Sequence, residues 1–235
     1  MQNNDLIKVL RDFNVDCSDF QCSLLMELMS YTLEKNKVLN LTNITLENDF
    51  INKMIIDSAL SFNDVDLNNK NKCIDVGTGG GFPGLVLAIL YPYINFTLLD
   101  STLKKCVHVK QCAEHLNLNN VTVVNDRVEN FIINNRSSFD LVTARAVSSL
   151  NMLLELCMPL LKQNGVFIAL KGKAGLEELK ESKEALKKLN TKLINCFEYN
   201  LKDDSGTRMN FHFNLNGEIN KKYPRSYKEI KHRPL

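Results

Sequence analysis

The chain has 235 residues, 44% of them hydrophobic, and its 29 Lys and Arg against 27 Asp and Glu leave a net charge of +2. That length suits one α/β domain with an extension, the charge is too near neutral for a chain that binds nucleic acid over its whole surface, and no apolar run approaches the roughly 18 residues of a membrane span. The cysteines (Cys17, Cys22, Cys73, Cys106, Cys112, Cys157 and Cys196) form no Cys-x-x-Cys pair, and residues 1–5 lack the basic patch and apolar run of a secretory signal, so reduced thiols in a cytoplasmic protein without a metal site are expected.

Residues 1–70 read as helices. Leu6, Val9, Leu10 and Phe13 share one face of the first, and 16–36 carries Leu24, Leu25, Leu28 and Met29 at helical spacing. Ser18 and Gln21, three apart, have the form of a capping box. Asn40-Leu41-Thr42-Asn43 makes a polar break. A third helix is predicted over 46–62, with Phe50, Ile51, Met54, Ile55 and Ala59 facing inward.

At 73–76 an apolar run predicts a buried strand, cut off by Gly77, Gly79, Gly80 and Gly81. Four glycines in five positions suit neither helix nor strand, since each costs about 1 kcal/mol there; they suit a loop that backbone and ligand approach closely. Pro83 is expected at the first helical position. The helix 85–90 ends at Tyr91-Pro92, and strand 95–99 is closed by Asp100. Helix 102–116, strand 121–124, strand 139–143 leading to Arg145, helix 150–161 and strand 165–170 leading to Lys171 follow. A charged helix over 174–189 places Lys180, Glu184 and Lys188 four apart. Strands 192–201 and 207–215 flank a turn at 202–206. Five strands alternating with helices predict a parallel sheet, and the final hairpin predicts an antiparallel strand. From 221 to 235 six Lys or Arg face one acid, Glu229; this +5 segment leaves −3 for the rest and reads as a tail that reaches a phosphate backbone. The expected organisation is a helical extension over 1–70 packed on the sheet, an α/β domain over 71–220 and a basic tail over 221–235.

Two cofactor readings compete at the glycine loop. Gly79-x-Gly81-x-x-Gly84 satisfies a dinucleotide pattern, as in a nicotinamide oxidoreductase. Asp75-x-Gly77-x-Gly79 instead resembles motif I of S-adenosylmethionine-dependent methyltransferases, where Asp75 orders the loop or accepts hydrogen bonds from the cofactor's ammonium. On either reading Asp100 is placed to accept from ribose hydroxyls; its plainer role is a cap for the helix that follows. Val128 and Glu129 border the same pocket after the third strand. Phe82 is placed to pack on the cofactor or simply in the core. Arg145 and Lys171, on the same edge, offer a phosphate or carboxylate clamp or an ordinary ion pair. His108, His115, His212 and His232 show no metal-ligand spacing.

With these residues placed, the chain resembles the bacterial small-subunit rRNA guanine-N7 methyltransferases, also called the glucose-inhibited division protein B family. The resemblance rests on Asn40-Leu41-Thr42, Asp57-Ser58, the run from Asp75 to Gly84, Leu99-Asp100-Ser101 with Lys104-Lys105, Arg127-Val128-Glu129, Arg145-Ala146, Lys171-Gly172, Tyr223-Pro224-Arg225 and Pro234-Leu235, in that order. Lys35 and Met54 depart from it, standing where that family often has tryptophan and histidine. The resemblance implies a class I S-adenosylmethionine-dependent methyltransferase fold: Rossmann-like α/β, a mostly parallel seven-stranded sheet, a C-terminal antiparallel hairpin and an N-terminal helical extension. It implies methyl transfer from S-adenosylmethionine to N7 of a guanine in the 530 loop of 16S rRNA (position 527), with no general base. Gly77, Phe82, Val128, Glu129 and Arg145 would contact the cofactor beside Asp75, Gly79 and Asp100, with Arg145 also catalytic. Lys171, Arg208, Arg225 and Lys228 would serve the RNA. The expected partner is 16S rRNA or the 30S subunit, with no membrane and no metal, and the expected state is a monomer. A nicotinamide enzyme and an RNA-binding protein with a vestigial pocket remain the alternatives.

Overall fold

The computed structural model describes residues 3–39, 42–145, 148–201 and 206–235. Strands β1 (Lys72–Val76), β2 (Asn95–Asp100), β3 (Val121–Asn125), β4 (Phe139–Arg145), β5 (Leu161–Lys171), β6 (Thr191–Asn200) and β7 (Thr207–Leu215) form one sheet. Their order is β3-β2-β1-β4-β5-β7-β6. The first five pair in parallel, and β7 runs antiparallel to both β5 and β6. The predicted turn at 202–206 falls mainly outside the described residues, as do Asn40, Leu41 and Ala146.

Both faces of the sheet are covered, which explains strands that read as unbroken apolar runs. Side chains alternate across the sheet, so adjacent residues serve different cores. Leu98, Leu141 and Ile168 join a core on one face, while Leu99, Val142 and Ala169 join the core on the other. On the first face lie α1 (Asn3–Asp12), α2 (Asp19–Leu39) and a helical run made of α3 (Glu47–Phe50), a π turn (Ile51–Ile56), α4 (Asp57–Ala59) and a 3-10 turn (Leu60–Phe62). With them pack α5 (Gly84–Leu90) and α6 (Leu103–His115). The second face carries α7 (Val128–Asn135), α8 (Leu150–Cys157), α9 (Gly175–Glu181), α10 (Lys183–Lys188) and α11 (Tyr227–His232). Leu6, Leu10, Leu25 and Leu28 are fully buried in the same cluster as Leu85 and Phe96, so the N-terminal helices share the sheet's core instead of building their own.

The Ser18–Gln21 capping box forms: Gln21 N–H donates to Ser18 Oγ (3.2 Å) and Ser18 N–H to Gln21 Oε1 (3.0 Å). The Gln21 amide also donates to the Ile89 and Leu90 carbonyls (3.0 and 2.9 Å), which the end of α5 leaves without helical partners. Some local expectations are corrected. The charged helix over 174–189 is two helices, broken at buried Ser182, whose hydroxyl donates back to the Glu178 carbonyl at 2.7 Å. Lys180 therefore pairs with Glu177 (3.0 Å), not across the break. Residues 128–135, for which the sequence predicts no element, are helical although their Asn-rich sequence shows little helix propensity, because Ile132 docks into the second core. Pro83 precedes the first turn of α5 by one residue.

The segment 221–235 is not a free tail. Tyr223 and Ile230 are buried in the second core. The Arg136 guanidinium donates to the carbonyls of Tyr223 (2.7 Å) and Asn220 (3.2 Å), which fastens the entry to the segment.

Candidate functional site

The parallel strands end along one edge of the sheet, and the chemistry gathers there. Val76 pairs with Leu99, Asp100 with Asn125 and Arg145 with Leu170, so the residues that close β1, β2, β3, β4 and β5 share one rim. A cavity of about 310 Å³ opens at this rim. Gly77, Asp100, Val128, Glu129 and Arg145 line it, all residues that the sequence marks; Lys105, Arg127, Leu156 and Tyr227 are among its other walls.

Under the cavity floor, Asp75 organises the glycine loop. It is fully buried; its Oδ2 accepts from the Gly84 amide at 3.1 Å and its Oδ1 from the Thr143 hydroxyl at 3.0 Å. Burial pushes its carboxyl above the usual carboxylate range, and hydrogen bonds and the Arg145 charge oppose that rise. The direct contact with a cofactor ammonium offered by the sequence is corrected: no part of Asp75 reaches the cavity, and its role is to hold the loop. Gly77 and Gly79 take left-handed backbone (φ +70 and +60), which glycine adopts without strain. A Cβ on Gly79 would meet nothing nearer than the Gly77 carbonyl at 3.9 Å, so the space over the loop is open. At Gly84 the same atom would lie 2.1 Å from Leu98 Cδ2 and 3.0 Å from Asp75 Oδ2, so any side chain there would have to displace both where α5 crosses the sheet.

The loop's amides separate the two cofactor readings. Gly77 and Thr78 donate to the Leu99 carbonyl (2.8 and 3.0 Å), and Gly81 and Phe82 to the Thr78 carbonyl (2.9 and 3.0 Å). Gly79 donates to Asp100 Oδ2 at 3.0 Å. A dinucleotide pyrophosphate needs such groups free to donate; here they are spent inside the protein. The antiparallel β7 between β5 and β6 also departs from the all-parallel dinucleotide order. A cofactor with a nucleoside end and no phosphate fits better. Asp100 supplies an acceptor at the ribose position, and Leu99, Val128 and Leu156 supply apolar surface for a base. Asp100 Oδ1 meanwhile accepts from the Thr102 amide at 2.8 Å, so it caps the next helix as well.

Arg145 bridges two layers. Its Nη1 donates to the Lys53 carbonyl (3.1 Å) and Asp57 Oδ2 (3.2 Å), and its Nη2 lies 3.4 Å from Met54 Sδ. Lys53 and Met54 sit in the π turn, a distortion that helices favour near functional sites. Met54, one of the two departures from the family pattern, therefore lies against the site arginine. Lys35, the other, stands over the Tyr31 ring at 5.2 Å, away from the cavity.

Several sequence expectations land elsewhere. Phe82 is 3% exposed, set edge-on to Phe50 (5.4 Å) with Arg145 over its ring at 5.8 Å; it is a core aromatic beneath the site. Lys171 is buried, its ammonium donating to the Ser148 carbonyl (2.6 Å) and Glu178 (2.7 Å), so it ties Ser148 to the helix after β5 and is not free for RNA. Arg225 grips buried Glu155 with two bonds (Nε 2.8 Å, Nη2 2.7 Å) and is a structural clamp, not a tail cation. Arg208 pairs with Asp57 at 3.4 Å and remains partly exposed. Lys228 is exposed on α11. Two histidines are interior: His108 and His212 are buried, and burial lowers both from 6.5 to about 4. Among the described residues, no group of three or more His, Cys, Asp or Glu is placed to hold a metal ion, and no helix is long and apolar enough to cross a membrane.

Tyr227 is a wall residue that the composition of its segment conceals. A basic segment reads as solvated, but its apolar residues Tyr223, Tyr227 and Ile230 were the available signal that it docks.

Comparison with known proteins agrees with this geometry. Residues 21–204 match the family model described as rRNA small subunit methyltransferase G. A ribosomal RNA small subunit methyltransferase G from Staphylococcus saprophyticus is 38% identical over 94% of this chain and 92% of its own length. Its counterpart from Mycoplasma capricolum is 41% identical over 84% of each chain. Among solved structures, cofactor-bound Rv0187 from MTB superposes with a TM-score of 0.60 at 13% identity, over 82% of this chain and 91% of its own. The ribosomal protein L11 methylase of Lactobacillus delbrueckii does so with a TM-score of 0.53 at 13% identity, over 70% and 79%. At such identities the likeness speaks for the fold, which is the class I methyltransferase fold.

Proposed function

The chain belongs to the rRNA small subunit methyltransferase G family, and we propose that it uses S-adenosylmethionine to methylate N7 of a guanine in the 530 loop of 16S rRNA. The observation that carries the reading is the cavity itself. Asp100, Glu129 and Arg145 share it, over a glycine loop whose amides at Gly77, Thr78, Gly79 and Gly81 are already spent.

When bound, the cofactor supplies an electrophilic methyl group on a positively charged sulfur. Guanine N7 carries a free in-plane lone pair, so no side chain has to remove a proton from it. The chain's work is placement, which in favourable cases supplies about 7–11 kcal/mol of a barrier. Gly77 and Gly79 give backbone access, Asp100 accepts from ribose hydroxyls, and Val128 and Glu129 border the base. Arg145, held from behind by Asp57, faces the cavity and orients the guanine. Exposed cations on the final segment, Lys228 among them, meet the RNA backbone, with Arg208 at the opposite side of Asp57.

Thermal unfolding with added ligand tests the cofactor. S-adenosylmethionine or its demethylated product raises the melting temperature on this reading, and NAD leaves it unchanged. Stabilisation by NAD alone would replace the methyltransferase with an oxidoreductase.

A further inference from the structure

We infer that Tyr227, from the C-terminal helix, is a cofactor-binding residue that walls the adenine end of the cavity together with the Arg127 guanidinium stacked on it. The inference rests on the cofactor proposed above. It gives the C-terminal segment a task at the nucleoside pocket that its basic composition does not suggest.

The position of Tyr227 is fixed from both sides. Before it, Arg225 is bound through two bonds and its own amide to Glu155, a carboxylate with no exposure. After it, Ile230 is fully buried. Ser226 and Glu229 form a reciprocal capping box that sets where α11 begins. Yet Tyr227 is 37% exposed and lines the cavity. An aromatic held this firmly, with its ring left out of the core, is a preformed surface for a flat apolar ligand.

Its neighbour completes the wall. The Arg127 guanidinium lies 4.4 Å from the ring centroid, and its Nε bonds Glu129 Oε1 at 2.5 Å. A planar cation stacked on an aromatic ring, pinned by a carboxylate, favours a purine over an aliphatic group. Arg127 and Glu129 follow β3, on the far side of β2 and Asp100 from the glycine loop of β1. A nucleoside whose ribose meets Asp100 and whose amino-acid end meets the glycine loop extends its base toward that wall.

Calorimetric titration of the full chain with S-adenosylhomocysteine and with 5′-deoxy-5′-methylthioadenosine, which keeps the adenosine and lacks the amino acid, tests this. Tyr227→Ala is expected to weaken both ligands by about tenfold, and Tyr227→Phe to stay near wild type. Tyr227→Leu fills the same space without the aromatic face and is expected to behave like the alanine variant, so a folding defect in that variant does not decide the matter. Wild-type affinity in both the alanine and leucine variants, or a loss confined to 16S rRNA binding, would overturn the inference. Failure of the wild-type chain to bind either ligand would overturn the cofactor reading itself, a result distinct from any effect of Tyr227.

Discussion

Asp57 Oδ2 accepts a hydrogen bond from Arg145 Nη1 at 3.2 Å, and through it the N-terminal helical layer holds the last residue of β4 at the cavity. The same carboxylate, 4% exposed, takes the Tyr199 hydroxyl at 3.0 Å and Arg208 at 3.4 Å. One buried acid thus positions two arginines and a tyrosine from three strands.

Asp57→Asn keeps the volume and removes the charge. Arg145 then loses its fixed orientation, and a misplacement of about 1 Å at such a group costs on the order of 100-fold in rate. Methyl transfer is expected to fall by at least tenfold, with S-adenosylhomocysteine affinity within about threefold of wild type. Unchanged turnover would remove Asp57 from the positioning of Arg145.

Arg225 separates a structural role from an RNA role. Removing its side chain leaves Glu155 in the interior with no cation, met only by the backbone amide of residue 225, and breaking such a buried pair costs about 3–5 kcal/mol. Urea unfolding of Arg225→Ala is expected to show that loss, and Arg225→Met with Glu155→Leu to recover most of it. A variant as stable as wild type that only binds RNA more weakly would restore the reading of Arg225 as a tail cation.

Asp100 and Lys228 divide the ligands between them. Asp100→Ala is expected to weaken the cofactor and to leave RNA binding largely intact. Lys228→Ala is expected to weaken 16S rRNA binding and reduce its salt slope by about one phosphate contact. Equal effects of both variants on both ligands would defeat the division.

Stability depends on pH through His108 and His212. Burial, helped at His108 by the Lys35 charge and opposed at His212 by Asp64, holds both neutral, with folded values near 4 against 6.5 unfolded. The unfolded chain therefore binds more protons below about pH 6.5, so stability is full above that value and falls as the pH drops toward 4. At about pH 5 each contributes a loss of about 2 kcal/mol. Urea midpoints of wild type and His212→Gln measured across that range should converge as the pH falls; parallel curves would contradict it.

Much of this was legible because each signal has a local cause. Unbroken apolar runs marked the parallel strands, the glycines at 77 and 79 marked a close-approach loop, and Asp100 and Arg145 stand where parallel strands must end. What composition alone could not supply is which charge meets which. Lys171 and Arg225 look alike from sequence to any exposed cation, and only the burial of Lys171 itself beside Glu178, in the helix after β5, and of Arg225's partner Glu155, inside α8, commits them to the fold. Likewise the helix over 128–135 depends on a docking surface made by distant residues, as does the place of Tyr227 at the cavity.

Base-resolved mapping of the methyl group tests the central claim most directly. The chain is incubated with 16S rRNA or 30S subunits lacking the modification and S-adenosylmethionine bearing a labelled methyl, and the RNA is then reduced and cleaved with aniline at N7-methylguanine. Label and cleavage are expected at one guanine in the 530 loop, both lost in Asp100→Ala. Label on a pyrimidine, on protein, or on guanines outside that loop would contradict it.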